Sequence, residues 1–280
     1  MNPSARETII RALAEDLGPG DITSEAFIPD GHRSHARIIA KENLVLAGTE
    51  VAAEVFRLVD PAITVALRNS DGARLAPGEV VLTAGGPTRS LLAAERTALN
   101  FLQQLSGIAT LTREFVEAVA GTKAVILDTR KTTPGLREFE RAAVAAGGGV
   151  NHRSGLFDQI LAKDNHLAVT GDAAGLQAAI ERAKAKKPDV AVEIEADTLD
   201  QVRMLCGLRG VNIILLDNMS LQEMRDAVNI RGSKNILLEA SGGVNLQTVR
   251  AIAETGVDRI SVGALTHSAR AVDLSMEIEE

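Results

Sequence analysis

Between residues 123 and 263 the sequence repeats one arrangement, in which an apolar run ends in side chains able to do chemistry. KAVIL runs into Asp128-Thr129-Arg130-Lys131, and QILA into Lys163-Asp164-Asn165-His166. VAVEIE carries Glu193 and Glu195, and VNIILL closes on Asp217-Asn218. NILL leads to Glu239 and Ser241-Gly242-Gly243, and RI to Ser261-Val262-Gly263. Arg130, Arg153, Lys131 and Lys163 suit a ligand bearing carboxylates, because a guanidinium grips a carboxylate with two hydrogen bonds and an ammonium adds a mobile point charge. Any one of them alone also suits a surface ion pair. Glu195 and Asp217 can hold Mg2+ directly or through water, hydrogen-bond sugar hydroxyls, or pair with a nearby Lys or Arg. Glu193 and Glu195 share one strand face, so only one need point at the centre. Gly242, Gly243 and Gly263 let backbone N–H groups approach a phosphate near a helix N-terminus, although SGG also serves as a plain turn. His152 and His267 fit a structural role as well as a ligand-binding one.

The elements that position these groups read as alternating strands and helices. Strands are expected at 123–128, 159–164, 190–195, 211–217, 235–240 and 259–263, with helices at about 172–186, 198–207, 220–229 and 245–255. Alternation of this kind implies a parallel sheet with right-handed crossovers, whose ligands bind at the carboxyl ends of the strands. Six strands fall short of a closed eight-stranded barrel, so the fold class is α/β, with an open, incomplete barrel expected and a doubly wound sheet as the alternative. Upstream, residues 5–16 read as an amphipathic helix stopped by Gly18-Pro19-Gly20. Short strands within 35–85 flank a helix at 49–59, a small α+β domain. Residues 89–120 read as two helices broken at Ser106-Gly107. The expected domains are 1–110, a catalytic barrel over 111–265, and a segment 266–280 packing back on the first domain.

Composition narrows the partners. The 280 residues carry a net charge of −7, with no Trp, no Tyr and six Phe. That argues against nucleic acid and against acidic membranes. Positive charge is instead concentrated: Arg130, Lys131, Arg137, Arg141 and Arg153 stand against Glu138 and Glu140 over 130–153. No apolar run reaches membrane-spanning length, and the N-terminal stretch lacks the apolar core of a secretory signal. Cys206 is the single cysteine, which excludes an intramolecular disulfide and a cysteine zinc site and suggests a reducing, cytoplasmic setting.

Longer strings then match a known family. EDLGPGDITS, ERTALNFLQQLSGIATLT, DTRKTTPGLR, GGGVNHRSGL, KDNH, EIEAD, LLDNM, LEASGGV and ETGVDRISVGALTHS occur in order along the chain, which resembles the quinolinate phosphoribosyltransferase family over essentially its whole length. The resemblance implies an enzyme of de novo NAD biosynthesis that joins quinolinate to phosphoribosyl pyrophosphate. It implies a dimer or higher homo-oligomer whose active site is completed by the partner subunit. By position, Arg130, His152, Arg153 and Lys163 would contact quinolinate, with Arg96 reaching in from the neighbour. Lys131, Glu195 and Asp217 would handle phosphoribosyl pyrophosphate and Mg2+. Ser241, Gly242, Gly243, Gly263 and His267 would receive the 5′-phosphate, and Ser261 joins this group from its strand end. One departure stands out: a Glu-Lys-Tyr run usual in the family is Glu140-Arg141-Ala142 here.

Four other readings compete. A paralogue associated with molybdenum uptake is disfavoured by the intact KDNH. A barrel lyase would use Lys163 as a Schiff base. A non-catalytic phosphometabolite binder would have no need of so many charged strand ends. A nicotinate-specific transferase would need only one carboxylate-binding cluster.

Overall fold

The computed structural model describes residues 2–279, which group into two compact units. The first comprises Met1–Arg113, Thr132–Gly148 and Leu265–Glu280, and the second Glu114–Lys131 and Gly149–Ala264. Each owes its form to a different hydrophobic pattern.

The first unit begins with α1 (Pro3–Leu17) and α2 (Ile22–Phe27). The Asn2 side chain accepts the Ala5 N–H at 2.8 Å and caps α1. There follow β1 (Arg33–Ala40), β2 (Leu44–Val45), α3 (Thr49–Val59), β3 (Thr64–Leu67), β4 (Arg74–Leu75) and β5 (Val80–Pro87). Strands β1, β5 and β3 pair antiparallel and bury Ile38 and Leu82 completely, while α3 buries Phe56. The chain's last strand, β12 (Leu274–Glu279), pairs with the outer edge of β1, setting Met276 opposite Ile38.

The helix after β5 departs from expectation. α4 runs unbroken from Thr88 to Ala118, where a break at Ser106-Gly107 was expected. These two small residues serve packing rather than interruption. Ser106 Oγ receives the Ala47 N–H at 3.0 Å and donates to the Ala47 carbonyl at 3.2 Å. A Cβ on Gly107 would lie 2.0 Å from the Arg270 carbonyl oxygen, so the glycine marks a close backbone approach inside a regular helix.

The second unit is an open barrel. Its strands are β6 (Val125–Leu127), β7 (Ile160–Ala162), β8 (Val192–Ala196), β9 (Ile213–Asp217), β10 (Leu237–Ser241) and β11 (Arg259–Ser261). All pair parallel in the order β6-β11-β10-β9-β8-β7. From β7 to β11 successive strands are neighbours, and β6 lies beyond β11, so the order runs round one way without reversing; the sheet is singly wound, and the doubly wound alternative falls. β6 and β7 are the two edges that leave the barrel open. The linking helices are α6 (Asp164–Thr170), α7 (Ala173–Lys186), α8 (Leu199–Leu205), α9 (Leu221–Arg231) and α10 (Val249–Ala253). α5 (Arg137–Ala146) belongs to the first unit, and α11 (Ala264–His267) follows β11. Helices α5 and α6 were not expected, and the helix expected from 245 begins at Val249, so SGG opens into a loop.

Pleating sorts the strand residues. Ile126, Ile194, Ala196, Ile214, Leu216, Leu238, Ala240 and Ile260 alternate onto one face and are all buried. Their neighbours along the strands point the other way: Glu193 and Glu195, Leu215 and Asp217, Glu239 and Ser241, Arg259 and Ser261. Lateral pairing aligns Glu195, Leu215, Glu239 and Arg259 in one row, with Asp217 and Ser241 one layer further on. The apolar face meets the helices, and the lumen is polar.

Candidate active site

At the carboxyl ends of β7, β8 and β9 an ion pair sits among carboxylates. Lys163 Nζ lies 2.6 Å from Glu195 Oε2, and the Asp164 N–H donates to Glu195 Oε1 at 3.2 Å. Glu195 is 5% exposed; a carboxylate that far inside needs such partners to remain charged. Burial raises the Asp197 carboxyl above its ordinary range, and Glu195, Asp217 and Asp164 push it further. Carboxylate oxygens such as those of Glu195 and Asp217 are the donor type that a divalent cation such as Mg2+ takes.

Next to β9, Asn218 is the only non-glycine residue with positive φ (53°) among the described residues. Its side chain donates to Asp217 Oδ2 at 2.7 Å, and its N–H donates to the Ser241 carbonyl at 2.9 Å. A Cβ on Gly242 would sit 2.1 Å from Asn218 Oδ1, and both Gly242 and Gly243 have positive φ (98° and 60°). The SGG loop is therefore a tight bend wedged against the end of β9.

Arg130 follows β6, and Arg153 lies in the segment after Val150, which bridges to Leu127. Burial lowers the pKa of Arg153, and the neighbouring Arg130 charge lowers it again. Two guanidiniums that repel one another make a receptor for an anionic group.

Below this rim lies a buried cluster. Asp128 is fully buried and its Oδ1 accepts the His152 N–H at 2.6 Å. His152 Nε2 stands 3.0 Å from Glu193 Oε2 and 3.2 Å from Glu239 Oε1. Gln159 donates to the same Glu193 oxygen at 2.6 Å, and Ser261 Oγ donates to the same Glu239 oxygen. Burial draws the His152 pKa down; its hydrogen bonds to the Glu193 and Glu239 carboxylates more than offset this and carry it to about 10. Yet Nδ1 accepts the Arg153 N–H at 2.8 Å, so a second ring hydrogen there would face another hydrogen. With Nδ1 accepting, Nε2 bears the hydrogen that faces the two carboxylates. Burial raises the pKa of Glu193.

Two family models match the chain: "Quinolinate phosphoribosyl transferase, N-terminal domain" over residues 21–106 and "Quinolinate phosphoribosyl transferase, C-terminal domain" over 108–277. The chain belongs to the quinolinate phosphoribosyltransferase family. It is 44% identical to the nicotinate-nucleotide pyrophosphorylase [carboxylating] of Mycobacterium leprae, with 98% of this chain and 97% of that one covered. It is 38% identical to a mitochondrial quinolinate phosphoribosyltransferase [decarboxylating] of Nicotiana tabacum, over 98% and 82% of the two chains. Among solved structures it resembles NadC from Streptococcus pyogenes (TM-score 0.93, 40% identity, 100% and 98% covered). It also resembles the nicotinate-nucleotide pyrophosphorylase from Francisella tularensis (TM-score 0.92, 37% identity, 100% and 98% covered).

Within this quinolinate phosphoribosyltransferase fold, the second unit gathers Arg130, Lys131, His152, Arg153, Lys163, Glu195, Asp217, Ser241, Gly242, Gly243, Ser261 and Gly263 at or below the strand ends. Arg96, on α4, and His267, at the end of α11, belong to the first unit. His267 Nδ1 lies 2.6 Å from Ser268 Oγ. Asp128, Asn218 and Glu239, which the sequence marks only as polar strand ends, join the site with specific hydrogen-bond roles, and Gln159 joins it unannounced. Period two from Ser241 would have turned Glu239 inward, but nothing in the sequence marks Gln159.

Proposed function

We propose that this chain is a quinolinate phosphoribosyltransferase (decarboxylating), a pentosyltransferase that converts quinolinate and phosphoribosyl pyrophosphate to nicotinate mononucleotide, pyrophosphate and CO2 in de novo NAD biosynthesis. The observation that carries the residue assignment is the gathering of Arg130 and Arg153 in the same unit as the Lys163–Glu195 ion pair at the sheet's carboxyl edge. The two guanidiniums suit the two carboxylates of quinolinate, and Lys163 stands ready to share one of them. The SGG bend and Gly263 suit the 5′-phosphate. Arg96 completes the quinolinate pocket from the partner subunit of a homodimer or larger assembly. Among the described residues no helix is long and apolar enough to cross a membrane, and we assign the enzyme to the cytoplasm.

Mg2+ would be held by Glu195 and Asp217, and it would supply positive charge to the pyrophosphate leaving group. The protein's own part is to bring two polyanions together in line. The quinolinate ring nitrogen attacks the anomeric carbon as the C1′–O bond breaks, and pyrophosphate leaves with the electron pair, its charge met by Lys131. Glu195 and Asp217 favour the positive charge that develops on the ribosyl carbon. The ring nitrogen is then cationic, so the adjacent C2–carboxylate bond can break with its electrons left beside that charge. CO2 departs, and C2 takes a proton.

A Schiff-base lyase fits poorly, because Lys163 is ion-paired to Glu195 at 2.6 Å and an ammonium has no lone pair for a carbonyl. The deciding assay supplies Mg2+, phosphoribosyl pyrophosphate and either quinolinate or nicotinate, and follows pyrophosphate and nicotinate mononucleotide. Product from quinolinate alone is expected; product from nicotinate alone would replace this reading with a monocarboxylate transferase.

A further inference from the structure

Glu193 and Glu239 are both fully buried in the lumen, Glu239 level with Glu195 and Glu193 one layer below it. Barrel lumens are ordinarily packed with branched apolar side chains, and a buried ionic cluster is seldom more stable than an apolar one of the same volume. Glu193 Oε1 and Glu239 Oε2 also accept no hydrogen bond among the described residues, which works against stability for buried carboxylate oxygens. A floor built for stability alone would be different.

The inward-facing oxygens are, by contrast, tightly used. Glu193 Oε2 is fixed by Gln159 and Glu239 Oε1 by Ser261, and both then face His152 Nε2. Through Nδ1 the same ring holds the Arg153 N–H, and Asp128 holds the N–H of His152 itself. Two consecutive main-chain amides are thereby pinned, by the Asp128 and His152 side chains. We infer that Glu193 and Glu239 are positioning residues for quinolinate: acting through His152, they fix the main chain at 152–153 and so aim the Arg153 guanidinium at the substrate carboxylate. The three side chains also have the composition of a metal site, but the ring nitrogen facing the carboxylates carries the hydrogen.

This inference rests on the proposed activity, and its test separates the two. Glu239→Leu removes the acceptor, whereas Glu239→Gln returns one through its amide oxygen. KM for quinolinate should rise about tenfold or more in the Leu variant, given what small misplacements cost. KM for phosphoribosyl pyrophosphate should stay within about twofold, and the Gln variant should recover most of the loss. Gln159→Leu, in a half-buried position that tolerates change, should raise the quinolinate KM about threefold and covers the case in which Glu239→Leu does not fold. Melting temperatures are measured alongside. Unaltered quinolinate KM in folded Glu239→Leu or Gln159→Leu, or both KM values rising together, overturns the positioning role while leaving the activity standing. An unsubstituted chain that turns over neither pyridine sinks both.

Discussion

Lys163 Nζ and Glu195 Oε2 lie 2.6 Å apart across the ends of neighbouring strands β7 and β8. Glu195 is almost fully buried, whereas the Lys163 side chain is about half exposed at 48%. The carboxylate is the fixed member and the ammonium the one that can swing to an incoming anion. Glu195→Gln should therefore leave the fold intact but lower kcat/KM about 100-fold, the scale for one lost electrostatic contact to the developing charge. Steady-state kinetics with circular dichroism as a folding check reads this directly.

Arg130 and Arg153 oppose one another in the free protein, as the lowered pKa of Arg153 reflects after burial itself. Arg153→Ala removes that repulsion. It should leave the melting temperature unchanged or slightly higher while quinolinate affinity falls at least tenfold, about 1.4 kcal/mol. Calorimetric titration of quinolinate against thermal melting separates the two effects. A variant with near-normal affinity takes Arg153 out of the site.

Gly107→Ala would set a methyl 2.0 Å from the Arg270 carbonyl oxygen, with backbone on both sides of the clash. The substitution raises helix propensity, so a helix considered alone would gain. Overpacking decides the sign: a loss of about 1–3 kcal/mol or more is expected, read as a lower urea midpoint.

Glu42 receives both Arg270 nitrogens, at 2.8 Å and 2.5 Å, and the Asp273 N–H at 2.8 Å. The Arg270 hydrogen bonds are the main reason its carboxyl lies at about 2 rather than 4.5. A depressed pKa gives stability that is complete above about 4.5 and lost as pH falls through about 2. The difference in urea midpoint between the unsubstituted chain and Glu42→Gln should be constant above pH 5 and close between about 4.5 and 2. A gap that persists at pH 2 rules the ion pair out as its source.

Gly242→Ala meets Asn218 Oδ1 at 2.1 Å and must adopt a φ of 98°. The bend should open, raising KM for phosphoribosyl pyrophosphate more than KM for quinolinate. Strain of this kind is worth about 1–3 kcal/mol, or about 5- to 150-fold in affinity.

The six barrel strands and the charged groups at their ends were legible in the sequence because both follow from local pattern. Apolar runs closing on Asp128, Lys163, Glu195, Asp217 and Ser241 declare a parallel sheet and its ligand edge wherever the chain then goes. The helix at 88–118 was misread at one point because Gly107 has two possible causes, a break or a close approach. Only the position of Arg270, more than 160 residues away along the chain, selects the second. The same holds for the polar floor. Glu193, Glu239, and the loop that carries both His152 and Gln159 come from three separate segments, and none of these residues is unusual in its own neighbourhood. Their meeting depends on strand order and register, which are set by how the whole sheet closes, and so only the tertiary structure could decide which carboxylates face substrate and which hold the histidine beneath it.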